Sequence, residues 1–569
     1  MLALATYANA AINGFALDDG FLITENARIT SLRNLPQFFA TDLFDGAYPG
    51  AAYYRPLVPT SFALEYALVG QNPFLYHVSN VLLHALVCAL VYLLALRLFA
   101  QETLAVIAGA AFAVHPVHTE AVSAISGRGD LLAAVFVLAA VLLHARSSAS
   151  EVRRTAIIVS CFSLALLSKE SAVVALVLFP LVDLVRHTQR LTPLRAIRSL
   201  LRERAMLWLG LALVTTAFFV VRQVVTASDF DASSLAFMGN RYAVDAAVSV
   251  KLATCAKLLG IYYRLLVFPF VLSADYDYNQ IPMATGWLEA TSWLPLFITL
   301  ALVAVALWGY RERAPIFFAV SFLLAGVLPL AFVLPFFQIL LAERYLYLPS
   351  LGLCIALGAL VTLAPRAKRR IVVAVLVLPL ILLGAARSVV RNRDWRDDAT
   401  LFAATVETAP NSSKAQASYA ATLALRAEEE RSAGNDERSK QLFLQAGRHY
   451  ERSLTIEPQA AAVHAQYGLC LTALGSYERA EAQLNEAVRL GNGEALAYLY
   501  RLLIDQSRQH AGTEPLRARR FHQRAQELFR DRIRSRVTEA DAARLRDELE
   551  SVERELQTAR EAGGDRATD

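Results

Sequence analysis

Apolar runs of about bilayer-spanning length, some needing flanking residues to complete a span, recur along the first 390 residues, and no other feature constrains the fold as strongly. A hydrocarbon core about 30 Å thick takes roughly 20 apolar residues of helix. Its backbone polar groups must be satisfied within the segment, which favours helices throughout. The runs cover residues 78–99, 104–117, 131–144, 155–167, 172–184, 205–221, 292–309, 315–335, 346–363 and 371–386. Residues 1–17 form a weaker eleventh, interrupted by Asn9 and Asn13. This segment lacks a basic n-region, which argues against a cleaved signal peptide. The chain is 56% hydrophobic and 18% charged, against roughly 25% charged in soluble domains. That balance excludes a disordered chain and a purely soluble enzyme.

The average joins two unlike parts. Residues 396–569 hold 25 Lys and Arg against 28 Asp and Glu, leaving 30 basic and 22 acidic residues in residues 1–395. The first part reads as membrane and the second as soluble. Four of the five cysteines (Cys88, Cys161, Cys255 and Cys354) lie in apolar runs with no CxxC pair, so neither a disulfide scaffold nor a zinc site is expected. No basic cluster interleaved with aromatics points to nucleic acid. Of 55 basic residues only six are Lys, a codon bias expected of a bacterium.

Basic residues in short loops set orientation. Arg186, Arg190, Arg195, Arg198, Arg202 and Arg204 fill one loop; Arg146, Arg153 and Arg154 flank another. Arg311 and Arg313 mark a third, and Arg366, Lys368, Arg369 and Arg370 a fourth. All four lie on the cytoplasmic side if residues 242–270, with Lys251, Lys257 and Arg264, do not cross and instead lie at the surface or re-enter. The expected topology has eleven spans, a cytoplasmic N-terminus and an extracytoplasmic C-terminal part. Loops 18–76, 115–130, 168–171, 222–293 and 338–345 then face outward.

The polar residues concentrate in these loops. Asp18 and Asp19 close the first run, and adjacent carboxylates repel, so one should bind its proton more tightly. Such a carboxylate can take a proton from a hydroxyl; the alternative is a solvated helix end. Arg55 precedes Pro56 and so lies in extended backbone. His77 and His84 share a helix face, about 10 Å apart along the axis, too far for a zinc pair. His115, His118, Glu120, Arg128 and Asp130 crowd one short loop, and ionisable groups there mark substrate or ion pathways. Lys169 and Glu170 interrupt an apolar stretch as either a tight hairpin or a buried polar site. Asp275, Tyr276 and Asp277 form another polar group, and Glu343 and Arg344 precede Tyr345 and Tyr347. The tyrosines also fit an aromatic belt. Arg344 could hold a lipid phosphate in bidentate fashion.

Beyond Trp395 the pattern is helical and repeating. In residues 461–492, Gly468, Gly475, Tyr477, Ala480, Leu484 and Ala487 fall where a tetratricopeptide unit takes small and apolar residues. The preceding unit, residues 411–458, is about 14 residues too long for the 34-residue repeat. The polar run 428–438 is expected to be a loop accounting for the excess. A half unit (401–410) precedes it, and a degenerate third unit is expected at 495–530. So few repeats require capping or docking. Residues 538–560 read as a solvated, charged helix.

The string YRPLVPTSF, NPFLYHVSNVLLHAL, HPVHTEAVSAISGRGDLLAA, LLSKES, LSADYDY, ERYLYLPS and NRDWRD, placed after an Asp-Asp pair and before repeat units, resembles the transmembrane and tetratricopeptide-repeat O-mannosyltransferases and their bacterial relatives. More broadly it is similar to the GT-C superfamily, including the dolichyl-phosphate-mannose protein mannosyltransferases. The resemblance covers roughly residues 10–500. Family members carry an acidic pair in the first outer loop, often ending in Glu, where this chain has Asp19. It implies an all-α fold: a GT-C-like membrane domain (1–390), an extracytoplasmic tetratricopeptide-repeat domain (391–530) and a charged helical tail (531–569).

The implied activity is transfer of a sugar, with mannose the first candidate, from a polyprenyl-phosphate donor to Ser or Thr hydroxyls of proteins with inversion. Asp18 would be the general base, supported by Asp19. Arg128, Lys169 and Arg344 would bind the donor phosphate. Arg55, His77, His118, Glu120, Asp130, Glu170, Asp275, Tyr276 and Glu343 would line the sugar and acceptor sites. No metal or other cofactor is required, because cations can neutralise a phosphate monoester. The expected partners are the lipid donor, membrane lipid and a protein acceptor held by the repeats, at a bacterial inner membrane. Two alternatives remain: a GT-C transferase acting on a lipid or glycan, and a non-enzymatic scaffold that recruits partners through the repeats.

Overall fold

A computed structural model describes residues 1–45, 53–145, 151–186, 204–226, 247–333, 341–534 and 538–564. Arg146, Arg190, Arg195, Arg198 and Arg202, used above for orientation, lie outside these residues. The described chain is all-helical. It divides into two compact units, Met1–Asp277 with Ile281–Ala409, and Tyr278–Gln280 with Pro410–Asp569.

The first unit opens with a short apolar helix, Leu2–Tyr7, that continues as a tighter turn, Ala8–Ile12. Then come α1 (Leu57–Val69), α2 (Pro73–Phe99), α3 (Glu102–Val114), α4 (Arg128–His144), α5 (Glu151–Ser168) and α6 (Ala175–Arg186). The series continues with α7 (Ala205–Thr226), α8 (Val248–Val267), α9 (Ala290–Glu312), α10 (Ala314–Phe332), α11 (Ser350–Leu363), α12 (Leu378–Asp394) and α13 (Asp398–Thr408). Among the described residues six helical segments are long and apolar enough to cross a membrane, or up to seven counting one bent pair; eleven spans were expected of the chain. By length and composition they make the chain an integral membrane protein.

The shortfall has a local cause. Polar and proline-containing breaks cut several apolar runs below spanning length. Pro116 cannot donate to the preceding turn, so α3 ends at Val114 and the chain bends by 51° into Pro116–Ser123. Without a proline, the extended backbone at Lys169 ends α5 at Ser168, and the turn Glu170–Val174 leads into α6. The α8 helix, with Lys251, Lys257 and Arg264 along it, is not among the spanning candidates.

Small residues let the helices approach closely. A Cβ on Gly352 would lie 2.5 Å from the Ala319 carbonyl oxygen, and one on Gly358 2.6 Å from that of Leu104. Gly326 of α10 meets Pro349, just before α11. Helices α10 and α11 therefore run antiparallel, with Arg313 and Arg366 at the same end. Arg97 donates to the Ala145 carbonyl beyond α4 at 3.4 Å, and Arg204 reaches His144 at 3.2 Å. These basic residues lie at helix ends remote from the polar loops described below.

The second unit is a row of helical hairpins: α14 (Ser413–Ser432) with α15 (Asp436–Ile456), α16 (Ala461–Ala473) with α17 (Tyr477–Arg489), and α18 (Ala495–His510) with α19 (Pro515–Leu528). Gly434 and Gly475 adopt positive φ (82° and 72°) at the first two turns, a conformation glycine takes without steric cost. Residues 428–438 are not the expected loop. Glu428, Glu429 and Glu430 continue α14, because glutamate favours helix, and the extra length lengthens both helices. The last helix, α20 (Glu539–Gly564), is not fully solvated either: Ala542, Leu549, Val552 and Leu556 are buried in the core of this unit. Its charged face remains outward.

Candidate functional site

The two acids of the first loop take opposite roles. Asp19 is fully buried. Its Oδ1 accepts from the Ser126 amide at 2.7 Å, and its Oδ2 accepts from Ala16 at 3.2 Å and Ile125 at 3.4 Å. Burial raises its carboxyl to about 7 despite these donors. Asp19 thus ties the first loop to residues 124–126, where a Cβ on Gly127 would collide with the Ala121 carbonyl. Asp18 is only half-buried, and its side chain makes no hydrogen bond or ion pair among the described residues. Its charge acts on Arg344, Tyr53 and Asp398.

Three cations converge on two tyrosine rings. Arg55 forms a two-pronged pair with Glu170 at 2.9 and 2.6 Å. Lys169 reaches Asp130 at 2.6 Å. Arg344 donates through its side chain at 2.6 Å and its backbone amide at 2.8 Å to Glu120. Lys169 and Arg344 lie over the Tyr345 ring, 5.4 and 5.8 Å from its centroid, and Arg55 lies over Tyr53 at 4.6 Å. Cations are attracted to aromatic faces at such distances. Burial alone would raise the Glu170 carboxyl, but Arg55 outweighs it and holds that group at about 2. Burial lowers the Lys169 ammonium despite Asp130. Burial opposes the charge on Arg344, and Glu120 more than restores it. Lys169 uses one ammonium bond on Asp130 and Arg344 one guanidinium nitrogen on Glu120, so both retain further donors.

Other expected site residues are engaged in the scaffold. Arg128 is buried and holds Glu65 at 2.9 and 3.1 Å, the Tyr76 carbonyl at 2.9 Å, Ser61 at 3.3 Å and the Asn80 side chain. His77 contacts the Gly14 carbonyl through Nε2 at 3.0 Å. His118 contacts the Phe112 carbonyl at 2.9 Å and Ser350 at 2.7 Å. Glu343 accepts from the Tyr276 hydroxyl at 2.5 Å and the Ser273 amide at 2.6 Å, and burial raises it to about 7. Asp275 accepts from the Asp277 amide at 2.9 Å. Among the described residues no group of three His, Cys, Asp or Glu side chains could hold a metal ion.

No family model matches the chain. Among curated proteins, protein O-mannosyl-transferase TMTC3 of Mus musculus is 27% identical over 507 residues, covering 84% of this chain and 53% of that protein. Protein O-mannosyl-transferase Tmtc1 of Drosophila melanogaster is 27% identical over 495 residues, covering 72% and 57%. This chain is similar to the protein O-mannosyl-transferases. Protein O-mannosyl-transferase TMTC4 of Mus musculus repeats the likeness at 26% over 480 residues, covering 74% and 63%. The chain spans about half the length of the curated relatives it matches.

Within this O-mannosyl-transferase-like chain, nothing in the sequence marks the place of Tyr53, and Tyr345 reads there only as a candidate for an aromatic belt. Their ring positions depend on contacts between distant loops, and aromatic residues at a membrane edge are common enough to hide them. Sequence reasoning also passed over the segment at the end of α12. Asn392 donates to Asn9 and to the Thr6 carbonyl, at 2.9 and 3.0 Å, and accepts from Ser123 at 2.9 Å. Trp395 is buried beside Ala16, Ala124 and Leu401. The Asp398 Oδ1 accepts from the Leu17 amide at 2.7 Å. The string NRDWRD and the two asparagines of the first apolar run were the available signals.

Proposed function

We propose that this chain is a membrane glycosyltransferase that moves mannose from a polyprenyl-phosphate donor to Ser or Thr hydroxyls of proteins, inverting the anomeric centre. The observation that carries this reading is Asp18: a half-exposed carboxylate without a hydrogen bond or ion pair among the described residues, on the same loop system as three cations, of which Lys169 and Arg344 have donors to spare. The names of the similar proteins support the sugar and the protein acceptor.

Asp18 takes the proton of the acceptor hydroxyl as its oxygen forms a bond to the anomeric carbon. The bond from that carbon to the phosphate oxygen breaks, and the phosphate leaves with the electron pair. Arg344 and Lys169, both over the Tyr345 ring, supply N–H donors where this charge develops. Arg55 lines the same region through Tyr53. Glu120, Asp130 and Glu170 orient the cations. Donors aimed at developing charge in a low-dielectric site are the strongest device available for such a step. Arg128, His77, His118 and Glu343 serve as framework, and Asp275 and Tyr276 shape the loop beside Glu343.

The basic residues Arg97, Arg204, Arg313 and Arg366 support a cytoplasmic assignment for their end of the bundle, with the carboxylate loops extracytoplasmic. The hairpins of the second unit are read as tetratricopeptide units that hold the protein acceptor. The test is transfer of radiolabelled mannose from dolichyl-phosphate mannose to a Ser/Thr-rich peptide by purified protein. Loss of transfer in Asp18→Asn, with expression unchanged, is the expected result. Transfer that survives this change would overturn the base assignment. No transfer by the unaltered protein, across several sugar donors, would favour a scaffold.

A further inference from the structure

Leu17 adopts φ +58°, a left-handed conformation that an L side chain seldom takes. Such a residue persists where its surroundings over-determine it, and it clusters at functional sites. Here it directly precedes Asp18.

The surroundings are specific. The Leu17 amide donates to Asp398 Oδ1 at 2.7 Å. The preceding amide, of Ala16, donates to Asp19. The Gly14 amide donates to the Arg396 carbonyl at 2.8 Å, and the Gly14 carbonyl faces His77. Asp397 caps α13 by accepting from the Thr400 amide at 2.8 Å and its hydroxyl at 2.9 Å. That cap fixes the first turn of α13 and so the place from which Asp398 reaches Leu17. The chain thus has two Asp-Asp pairs about 380 residues apart. In each, one acid holds backbone amides in place: Asp19 those of Ala16, Ile125 and Ser126, and Asp397 that of Thr400. The second pair's remaining acid, Asp398, binds the peptide that aims the first pair's remaining acid, Asp18.

We propose that Asp398 is a positioning residue: by holding the Leu17 amide it fixes the backbone conformation that points Asp18 into the site. This rests on the reading of Asp18 as the base. Rotation of the Leu17 peptide would swing Asp18 away with no change in any donor-binding cation. A misplacement of about 1 Å can cost on the order of 10² in rate.

The experiment compares Asp398→Asn, Asp398→Ala and Asp398→Glu in the full chain. Asn keeps the Oδ1 acceptor, Ala removes it, and Glu keeps the charge but overreaches. Two readouts are taken: kcat and KM for dolichyl-phosphate mannose, and amide hydrogen exchange of the peptide covering residues 13–21.

The expected result is a kcat at least tenfold lower for Ala and Glu, KM within about twofold, and Asn within about threefold of the unaltered protein. Exchange at Leu17 should be at least tenfold faster in Ala and near its original rate in Asn. Equal kcat for Ala and Asn would overturn the proposal. So would unchanged exchange in Ala, or fast exchange with undiminished kcat while Asp18→Asn is inactive. Full transfer by Asp18→Asn would overturn the base assignment alone, and the clamp would then stand or fall on the exchange rate. If Ala does not accumulate, the Glu and Asn variants decide by the same criteria.

Discussion

Helix α4 meets buried charge at both ends, and the two ends are built differently. At its last residue His144 accepts from Arg204 at Nδ1 (3.2 Å) and faces Asp183 through Nε2 at 3.0 Å, while Arg204 also reaches Asp183 at 3.2 Å. His144 and Asp183 are fully buried, so this cluster is closed on itself. Roughly 24 Å away, at 1.5 Å per residue, the first turn carries Arg128 and Asp130. Arg128 is closed in the same manner, around Glu65. Asp130 holds Lys169, beside Arg344, Arg55 and the unpaired Asp18. Buried charge in a membrane protein therefore has two uses. A buried cluster whose charges face only one another ties helices together. One with unmatched groups, some of them partly exposed, has the capacity that the proposed function asks of Asp18, Lys169 and Arg344.

The comparison breaks first at Asp18. Asp18→Asn should lower transfer by roughly 10²–10⁴, the contribution of a general base, with thermal stability in detergent unchanged. Asp183→Ala should do the reverse. It strands Arg204 beside His144 and should cost about 3–5 kcal/mol, read as a lower denaturation midpoint, with transfer per folded molecule intact. Equal loss of activity in Asp183→Ala would mean that the closed cluster also serves the reaction. Arg344→Gln should lower transfer by roughly 10²–10³ and lower stability as well, since Glu120 loses its partner.

The smallest effect concerns Asp19. Its carboxyl is raised to about 7 from 3.8, chiefly by burial. Between these values the folded state holds a proton that the unfolded state has released, so stability falls as pH rises through this window. Asp19→Asn should flatten that part of the profile of melting temperature against pH. An unchanged slope would assign it to other groups.

Much of the architecture was legible because it depends on local composition. Apolar runs predict helices, and the charge contrast predicts a change of character near Trp395, whereas the first compact unit extends to Ala409. The span count was less legible, since breaks at His115–Pro116 and Ser168–Lys169 look minor in a hydropathy trace but end helices. Asn9 and Asn13 made the first run look like a poor span. They are instead attachment points for α12, Asn13 donating to the Asn392 carbonyl at 2.9 Å. A polar residue scores as a defect until its partner, 379 positions later, is known.

The sequence by itself singled out Asp18, Asp19, Arg55, Glu120, Asp130, Lys169, Glu170 and Arg344 as charges in apolar surroundings. Only the tertiary structure decided which of them are engaged. Asp18 and Asp19 are neighbours with the same side chain, and nothing local tells them apart. Three amide donors, from Ala16, Ile125 and Ser126, surround one and leave the other unpaired. Arg128 and Arg344 likewise share a residue type and a paired carboxylate, but Arg128 has every side of its guanidinium occupied while Arg344 keeps donors free. The physical reason is that hydrogen-bond capacity belongs to the residue, whereas its saturation is set by groups that folding brings from elsewhere in the chain.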